Sequence, residues 1–331
     1  MNHQGLVKQV RLLVTVTSFA LLCGACAKEA APTLTISTGG SGGRYQVVGR
    51  ALVRVAYQNQ AAIGAQLDYK TSSGSVANIN AIGAGEADFG IAQSDHLFQA
   101  ISGVGEWADA GPQTELRAVF GMYTESVTLV AGGDSGIQSI ADLQGKVVDI
   151  GPEGSGTRAN AIDALSAAGI NWQAEIDSRE ENLDSRLTSF MHGELDAFFY
   201  TAGHPNSDIK FATFSVRGAQ IIPLTNIATI LEQHPYYLQT TIPAGLYPMA
   251  RNNSDVETIG VSATLLTSAS VPEEVVYSLT KALFEDQDAL VEFSAEFAAL
   301  VGDDFLNGIT APLHPGAARY YQEVGIDVPA R

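Results

Sequence analysis

Residues 149–158, DIGPEGSGTR, combine the end of a strand, a glycine-rich turn and the start of a helix. The pattern predicts a strand over 146–150 and a helix over 157–168, with the hydroxyls of Ser155 and Thr157 where N-cap groups belong. A helix start offers unpaired N–H groups and a positive dipole end, and Arg158 adds a cation. The stretch therefore predicts an anion site, although most turns of this kind only redirect the chain.

A similar order of elements occurs earlier in the chain. Residues 34–38 have strand character, and the glycine-rich residues 39–45 precede a helical pattern that extends to residue 58. Each half then reaches a Gly-Glu-x-Asp sequence, at 85–88 and 193–196, that precedes another strand. We therefore expect two similar α/β halves that face each other across a cleft.

Two long β-prone runs divide the chain. Residues 116–131 are too many for one ordinary strand, and polar residues at 123–126 interrupt them. We interpret this run as a strand that leaves one lobe and enters the other, and 257–267 as the return. Glu125 falls at the predicted hinge, where it would be either a site residue or part of a structural ion pair. The predicted lobe I covers 31–125 and 254–331, and lobe II covers 126–253.

Small polar groups follow several strands of the first half. After a strand at 65–71, Ser73 or Ser75 is expected to cap a helix over 76–84, and Asn78 lies in its first turn. Gln93 ends the strand at 89–93, before a helix over 95–102. Ligands of open α/β sheets lie at the carboxyl ends of strands, so these groups are candidate site residues. Later predictions are a strand over 216–224 and helices over 183–192, 226–233, 272–285 and 288–297, with a last short helix ending at Tyr321.

The N-terminal residues resemble an export signal. Lys8 and Arg11 precede an apolar run at 12–25, and this run is short for a membrane span. We assign 1–26 as signal peptide, with two alternatives left open: lipidation of Cys26, or cleavage after Ala27. Both cysteines, Cys23 and Cys26, fall in this segment, so no disulfide is expected in the mature chain. The expected location is the periplasm, with a membrane tether only if Cys26 is lipidated.

Charge and residue spacing argue against several functional classes. The formal net charge of −18 argues against nucleic acid as a partner. The six histidines show no i, i+4 pair and have no cysteine partners, so neither a metal site nor a cofactor is expected. Residues 154–159 fit a dinucleotide-binding pattern and 151–157 approximate a phosphate loop, but the first is not on the first strand and the second lacks the lysine.

The main enzymatic alternative comes from residues 39–43. Their sequence, GGSGG, satisfies the G-x-S-x-G pattern of a serine hydrolase, with Ser41 as the nucleophile. The serine would follow the first strand of the mature chain, whereas such a nucleophile normally follows several strands. A glycine-rich run also matches by chance. We therefore expect a binding protein and not an enzyme.

The order and spacing of these motifs resemble the TAXI family, the substrate-binding proteins of TRAP (tripartite ATP-independent periplasmic) transporters. The resemblance rests on 38–45, 73–78, 85–95 and 154–158, and on 127–151, 203–205, 242–245 and 311–324. It implies an α/β, type II periplasmic-binding fold whose two lobes close on a ligand. It also implies a monomer that delivers the ligand to a membrane permease, usually with fused small and large subunits.

The family's ligands include glutamate, glutamine and 2-oxoglutarate, and L-glutamate is our first choice. The resemblance implies that the start of the 157–168 helix holds one carboxylate, while polar groups of the first lobe hold the other end of the ligand and Glu125 or Asp95 pairs with an ammonium group. The implied ligand-binding residues are Gly40, Tyr45, Ser73, Ser75, Asn78, Gln93, Glu125, Ser155, Gly156, Thr157, Arg158, Phe199 and Thr201.

Overall fold

The computed structural model describes residues 31–234, 236–285, 291, 303–306 and 308–328. The predicted signal at 1–26, with Cys23 and Cys26, lies outside the described residues, as does nearly all of the predicted helix at 288–297. Among the residues that are described, no helix is long and apolar enough to cross a membrane.

The strands form one curled mixed sheet. From one edge the order is β2, β1, β3, β10, β4, β7, β5 and β6, with β8 also paired to β4 and β9 to β10. The pairs among β1, β2 and β3 are parallel, as are those among β5, β6 and β7, whereas β10 runs antiparallel to its neighbours. The strands are β1 (Thr33–Ser37), β2 (Gln66–Lys70), β3 (Phe89–Gln93), β4 (Leu116–Gly132), β5 (Val147–Asp149), β6 (Asp177–Arg179), β7 (Ala197–Ala202), β8 (Ala219–Ile222), β9 (Leu238–Ile242) and β10 (Val256–Ser268).

Helices cover the faces of the sheet. In α1, for example, Val48, Leu52 and Val55 are buried at i, i+4 and i+7, the spacing that places side chains on one helix face. The helices are α1 (Arg44–Gln58), α2 (Gln60–Ile63), α3 (Ser75–Gly83), α4 (Ser94–Ser102), α5 (Gly156–Ala167), α6 (Trp172–Glu175), α7 (Leu183–His192), α8 (Ser207–Phe214), α9 (Ile227–Gln233), α10 (Glu273–Glu285) and α11 (Pro315–Glu323).

Strands β4 and β10 are the two longest and run the length of the sheet side by side. Their pairing continues through the crossing point, where Val261 pairs with Glu125 and Ser262 with Thr124. The polar residues at 123–126 therefore do not break β4, which is continuous over Leu116–Gly132. Both long runs were predicted to be crossing strands, and the observed fold confirms this.

Buried apolar side chains form three clusters. One lies within 36–123 and 263–321, and we call the body around it lobe I. The other two lie within 127–261, on either side of the second half of the sheet, and we call this body lobe II. The last helix completes the first cluster, since the Tyr321 hydroxyl donates to the Val119 carbonyl at 2.8 Å. The α/β two-lobed architecture is that of the type II periplasmic-binding fold.

A few elements differ from the prediction. Neither Ser73 nor Ser75 caps α3, because Gly74 occupies the N-cap position with a φ of 127°. Instead the Ser75 hydroxyl accepts a hydrogen bond from the Gln93 N–H at 3.1 Å. The strand predicted over 216–224 is shorter, at Ala219–Ile222. The sequence did not indicate β6, β9 or α8.

Candidate functional site

A cavity of about 200 Å³ lies between the two lobes. Lobe I contributes the turn after β1, the turn before α3 and the end of β3, and lobe II contributes the start of α5, the start of α7 and β7. The lining residues are Gly39, Gly40, Gly43, Arg44, Tyr45, Ser72, Ser73, Gly74, Ser75, Gln93, Glu125, Pro152, Ser155, Gly156, Thr157, Asn182, Arg186, Tyr200, Thr201 and Ala202.

The start of α5 forms part of the lobe II wall. Ser155 is its N-cap, and the side-chain oxygen accepts from the Arg158 N–H at 3.2 Å. The Thr157 hydroxyl oxygen accepts from the Thr201 N–H at 3.2 Å, which ties the helix to β7. The predicted cap at Ser155 is confirmed. These two hydroxyls hold the helix start in place. Because Ser155, Gly156 and Thr157 line the cavity, the positive end of the helix dipole lies at the cavity.

Arg186 supplies a buried cation on the same wall. Its side chain is only 4% exposed, and its Nε donates to a carboxylate oxygen of Asp149. The Tyr200 ring lies under the guanidinium, with 5.0 Å from Cζ to the ring centroid. Within the described part of the chain, Arg186 Nη1 is buried without a hydrogen-bond partner. A lining cation thus retains unused donor capacity, which a carboxylate can satisfy.

Asp149 holds this arginine in position. One of its carboxylate oxygens accepts from the Gly151 N–H at 3.1 Å and the Glu181 N–H at 2.8 Å, and the other faces Arg186. Burial raises the pKa of Asp149, and the Arg186 charge and the backbone donors oppose that rise. The network joins the end of β5 to the segment before α7, so the orientation of Arg186 is built into the scaffold of lobe II.

Glu125 faces the cavity from the crossing strand β4. It is 3% exposed, and its Oε2 accepts from the Tyr45 hydroxyl at 2.6 Å. Burial raises its pKa to about 8, which the Tyr45 bond and Arg44 only partly offset. At neutral pH the carboxyl is therefore mostly protonated. The same burial, together with Glu125, raises the pKa of Tyr45 well above 10.

Several contacts join the lobes around the cavity. Arg44 of lobe I donates to the Pro205 carbonyl of lobe II at 2.7 Å. Gln93 lies directly against Gly156, because a Cβ added at that glycine would be 2.2 Å from Gln93 Oε1. A Cβ at Gly74 would likewise be 3.5 Å from Ser155 Cα. The two lobes are therefore in close contact along the edges of the cavity.

A second interlobe network lies beside the cavity and centres on Asn160 of α5. Its amide nitrogen donates to Asp95 Oδ2 of lobe I at 2.6 Å and contacts the Tyr237 hydroxyl at 2.8 Å. Its carbonyl oxygen accepts from the Thr201 hydroxyl at 2.9 Å, and Tyr237 in turn donates to Asp163 at 2.8 Å. Thr201 lines the cavity, so this network connects a site residue to the lobe interface.

The structure brings most of the predicted site residues together. The residues of both lobes that were predicted and that line the cavity are Gly40, Tyr45, Ser73, Ser75, Gln93, Glu125, Ser155, Gly156, Thr157 and Thr201. They come from six separate segments of the chain. Whether each of them contacts a ligand remains a prediction.

Three predicted residues lie outside the cavity lining. The Asn78 amide is used inside lobe I, where it donates to the Ile91 carbonyl at 2.6 Å and to the Thr38 carbonyl. Arg158 extends away from the helix start to an ion pair with Glu180 at 3.0 Å and a stack on Trp172. Phe199 packs in a lobe II core cluster, whereas the next two residues of the strand, Tyr200 and Thr201, line the cavity.

Sequence reasoning did not identify Arg44, Arg186 and Asn182 as site residues, whereas Tyr200 was considered as a cleft residue but was not among the predicted ligand-binding residues. Asn182 caps α7 by accepting from the Ser185 N–H at 3.0 Å, and it thereby orients the helix that carries Arg186. The sequence did contain a signal for the start of this helix, because Asn182 directly precedes a helical pattern and asparagine is a favoured N-cap residue. No local signal marked Arg186, whose partner Asp149 lies far away in the chain.

The described residues around the cavity were also expected to carry neither a metal site nor a nucleophile. No group of three or more His, Cys, Asp or Glu side chains able to hold a metal occurs among the described residues. Ser41, the nucleophile of the hydrolase alternative, is exposed and lies outside the cavity lining. The chemical character of the cavity is therefore that of hydrogen-bonding groups and two arginines around a buried carboxyl.

Comparisons with known proteins agree with this architecture. MatC from Rhodopseudomonas palustris with bound malate has a TM-score of 0.57 at 13% identity, covering 89% of this chain and 99% of MatC. The periplasmic binding protein BugD has a TM-score of 0.54 at 12% identity, covering 88% and 94%. A Xanthomonas citri protein bound to ATP has a TM-score of 0.53 at 11% identity, covering 88% and 95%. At these identities the likeness establishes the fold.

A family model, that of the NMT1-like family, matches residues 36–325. The match covers both lobes, both crossing strands and every residue that lines the cavity. The chain therefore belongs to the NMT1-like family and adopts the two-lobed α/β fold of periplasmic binding proteins.

Proposed function

We propose that this protein is an extracytoplasmic solute-binding protein that captures a small organic anion, with L-glutamate as the first choice. The observation that carries the proposal is the set of ionisable side chains lining the interlobe cavity, namely Arg44, Arg186 and Glu125. Two cations and one acid complement two carboxylates and one ammonium group. The hydroxyls and helix start around them add the few directed polar contacts that fix a ligand's orientation.

Alternative ligands fit the same role. 2-Oxoglutarate, glutamine or another dicarboxylate would use the arginines in the same way and differ in what they present to Glu125. MatC, which shares the fold, was determined with bound malate, itself a dicarboxylate. That likeness supports a small carboxylate as the ligand class, and the Glu125 carboxyl in the cavity lining supports one that also carries an ammonium group.

The resemblance to the TAXI family supports delivery of the ligand to a TRAP-type permease, with fused small and large subunits, for secondary-active uptake. In this proposal the protein is exported by residues 1–26 and acts as a monomer in the periplasm. A lipid at Cys26 would tether it to the membrane. No enzymatic step belongs to the proposal.

The first experiment measures binding directly. Purified protein is screened by thermal shift against L-glutamate, 2-oxoglutarate, L-glutamine, malate and related dicarboxylates, and each positive is titrated by calorimetry. Mass spectrometry of protein denatured directly after purification identifies co-purified ligand. We expect saturable one-to-one binding of a dicarboxylate or amino acid. Absence of any thermal shift with every anion in the screen would contradict the proposal.

A hydrolase is separated from a binding protein by turnover. The wild-type protein and a Ser41→Ala variant are incubated with chromogenic ester probes. Sustained turnover that disappears in the variant would establish the hydrolase alternative, whereas the proposed function predicts no turnover with either protein.

Delivery is tested with a TRAP-type permease reconstituted in liposomes. Uptake of radiolabelled ligand should require both the purified protein and an ion gradient and should not require ATP. Uptake that depends on ATP would contradict the TRAP-type assignment while leaving the binding function intact.

A further inference from the structure

Glu125 lies where groups from several elements converge. It is on β4 at the crossing of the two lobes, 3% exposed, and it lines the cavity. Tyr45 of α1 donates to its Oε2 at 2.6 Å. The charged and titratable groups that face it from the surrounding elements are Arg44 and Tyr45 of α1, Asp95 of α4, Tyr123 of β4 and Tyr200 of β7.

The surroundings of Glu125 favour a neutral carboxyl in the absence of a ligand. Burial is the largest influence and raises its pKa to about 8, and the nearby Asp95 acts in the same direction. Arg44 and the Tyr45 hydrogen bond lower it by less. A buried acid accordingly keeps its proton at neutral pH unless a cation is placed against it.

Asp95 is the other acid that could face an ammonium group, and the geometry argues against it. It does not line the cavity. Its Oδ2 accepts from Asn160 at 2.6 Å in the interlobe network, and the residue is completely buried in α4. Glu125 is thus the acid that a ligand in the cavity can reach.

We infer that Glu125 is the ammonium subsite of the cavity, and that an amino acid binds there with release of the Glu125 proton to solvent. The inference rests on the proposed function. The balance is simple: the protonated protein and the amino acid, which keeps its ammonium, form a complex containing the Glu125 carboxylate and one free proton. In the complex the ammonium group of the ligand, and no longer the proton, neutralises the buried Glu125 carboxylate.

A 2-oxo acid would bind the protonated form of Glu125, whereas an amino acid would bind the ionised form. It offers a carbonyl oxygen where the amino acid offers an ammonium, and a protonated Glu125 can donate a hydrogen bond to that oxygen. Its binding therefore requires no proton release. L-Glutamate and 2-oxoglutarate differ only at the α-carbon, which carries the ammonium group in one and the carbonyl oxygen in the other, so they form a matched pair of probes.

The test is calorimetry of both ligands on the full-length protein at pH 7 in buffers of different ionisation enthalpy. Because Glu125 carries a proton in most of the ligand-free sites at pH 7, binding of L-glutamate should release a large fraction of one proton per site. 2-Oxoglutarate should release close to none. Binding of L-glutamate with an enthalpy independent of the buffer overturns the inference and leaves the proposed function standing.

Variants sharpen the assignment to Glu125. Glu125→Gln should abolish the buffer dependence and shift the ratio of the two affinities toward 2-oxoglutarate by tenfold or more. Glu86→Gln, at an exposed position of lobe I, is the matched control and should keep both properties. Retained proton release in Glu125→Gln assigns the proton to another group and overturns the inference. The wild-type measurement needs no variant, so misfolding of Glu125→Gln does not prevent the test.

The two proposals fail in different ways. If neither L-glutamate nor 2-oxoglutarate binds, while another anion from the thermal-shift screen does, the ammonium subsite is overturned and solute binding is retained. If no anion binds, both are overturned.

Discussion

Arg186 and Arg158 show how position in space, not in sequence, decides which cation serves the site. Arg158 directly follows the glycine-rich turn, yet it pairs with Glu180 on the surface of lobe II. Arg186 lies far from the turn in sequence, but Asp149 and the Tyr200 ring hold it in the cavity wall. The better candidate for gripping a ligand carboxylate is therefore Arg186.

This difference gives the first prediction. Arg186→Gln should weaken binding of a dicarboxylate at least tenfold, because a hydrogen bond to a charged group contributes about 1.5–3 kcal/mol. Arg158→Gln, the matched control, should change affinity less than threefold. Calorimetry measures both. Arg186→Gln also leaves the buried Asp149 without its cation, which could lower stability. Arg186→Lys, which keeps the charge but not the planar guanidinium, is therefore measured as well, and thermal melting reports the stability of each variant. Equal losses in Arg186→Gln and Arg158→Gln would contradict the assignment.

Glu125 also links stability to pH in the ligand-free protein. Its pKa rises from 4.5 to about 8 on burial, so between these values the folded protein binds more protons than the unfolded chain. The contribution of the neutral acid to stability is fully present below pH 4.5 and is lost as pH rises through 8. The slope reaches at most about 1.4 kcal/mol per pH unit.

We therefore expect Glu125→Gln to gain stability relative to wild type as pH rises from 5 to 8.5, because the amide has no charge to bury. Urea unfolding of ligand-free protein at several pH values gives the free energies. Glu86→Gln should follow the wild-type curve. A constant difference between Glu125→Gln and wild type across this range would show that the carboxyl is not protonated in the folded state.

The start of α5 is packed so closely against lobe I that a side chain added at Gly156 would displace the Gln93 amide. Gly156 touches the Gln93 amide, and the Ser155 cap fixes the direction of the first turn. The closed arrangement of this wall thus depends on a glycine at one position and on the glutamine opposite it.

Gly156→Ala should lower ligand affinity several-fold, because its Cβ would lie 2.2 Å from Gln93 Oε1 and force that amide away. Gly245→Ala is the matched control, since a Cβ there meets nothing within 4 Å. Calorimetry on both variants, on Gln93→Ala and on the variant that combines Gly156→Ala with Gln93→Ala completes a double-mutant cycle. The alanine should cost much less when Gln93 is already truncated, and an unchanged cost would place its effect elsewhere.

Local patterns predicted the elements that are long and apolar. Strand β4 was predicted because Leu116–Gly132 is rich in β-branched and aromatic residues, and α1 because its apolar spacing is helical. Strand β6, Asp177–Arg179, carries no such pattern, since it is a three-residue polar strand at the sheet edge. Its place is set by pairing with β5, which a local pattern does not contain.

The site residues also divide into those that local sequence patterns indicate and those that contacts between distant parts of the chain determine. Backbone turns at strand ends were recognisable, so Ser73 and the start of α5 were predicted, and the resemblance implied Gly40. Arg186 was not predicted, because Asp149 selects it through a contact between residues separated by 37 positions in sequence. Phe199 was implied by the resemblance but packs in the core, and β7 is buried at all six positions, so its sequence has no polar alternation that would separate core from cavity residues.

The crossing strands β4 and β10 carry both lobes, so relative motion of the lobes must pass through them. In the structure the lobes are held together by contacts on each side of the cavity, including Arg44 with Pro205 and Asn160 with Asp95. A ligand that contacts both walls favours this closed arrangement by its differential affinity for it.

We predict that ligand reduces the radius of gyration in small-angle scattering, and that Asn160→Ala increases it in the ligand-free state and lowers affinity. The variant removes the bond to Asp95 and leaves that carboxylate buried without its donor. Asn171→Ala, which removes an exposed helix cap within lobe II, is the matched control. An unchanged radius of gyration in Asn160→Ala would show that this network does not hold the lobes together.

The two lobes also differ in how the chain assembles them. Both core clusters of lobe II are complete within residues 127–261, whereas the core of lobe I joins residues near the beginning of the described chain to Tyr321 near its end. Synthesis proceeds from the N-terminus, so the chain of lobe II is available before that of lobe I. The cavity needs both lobes, so a chain truncated before Tyr321 would lack part of the lobe I core that supports it.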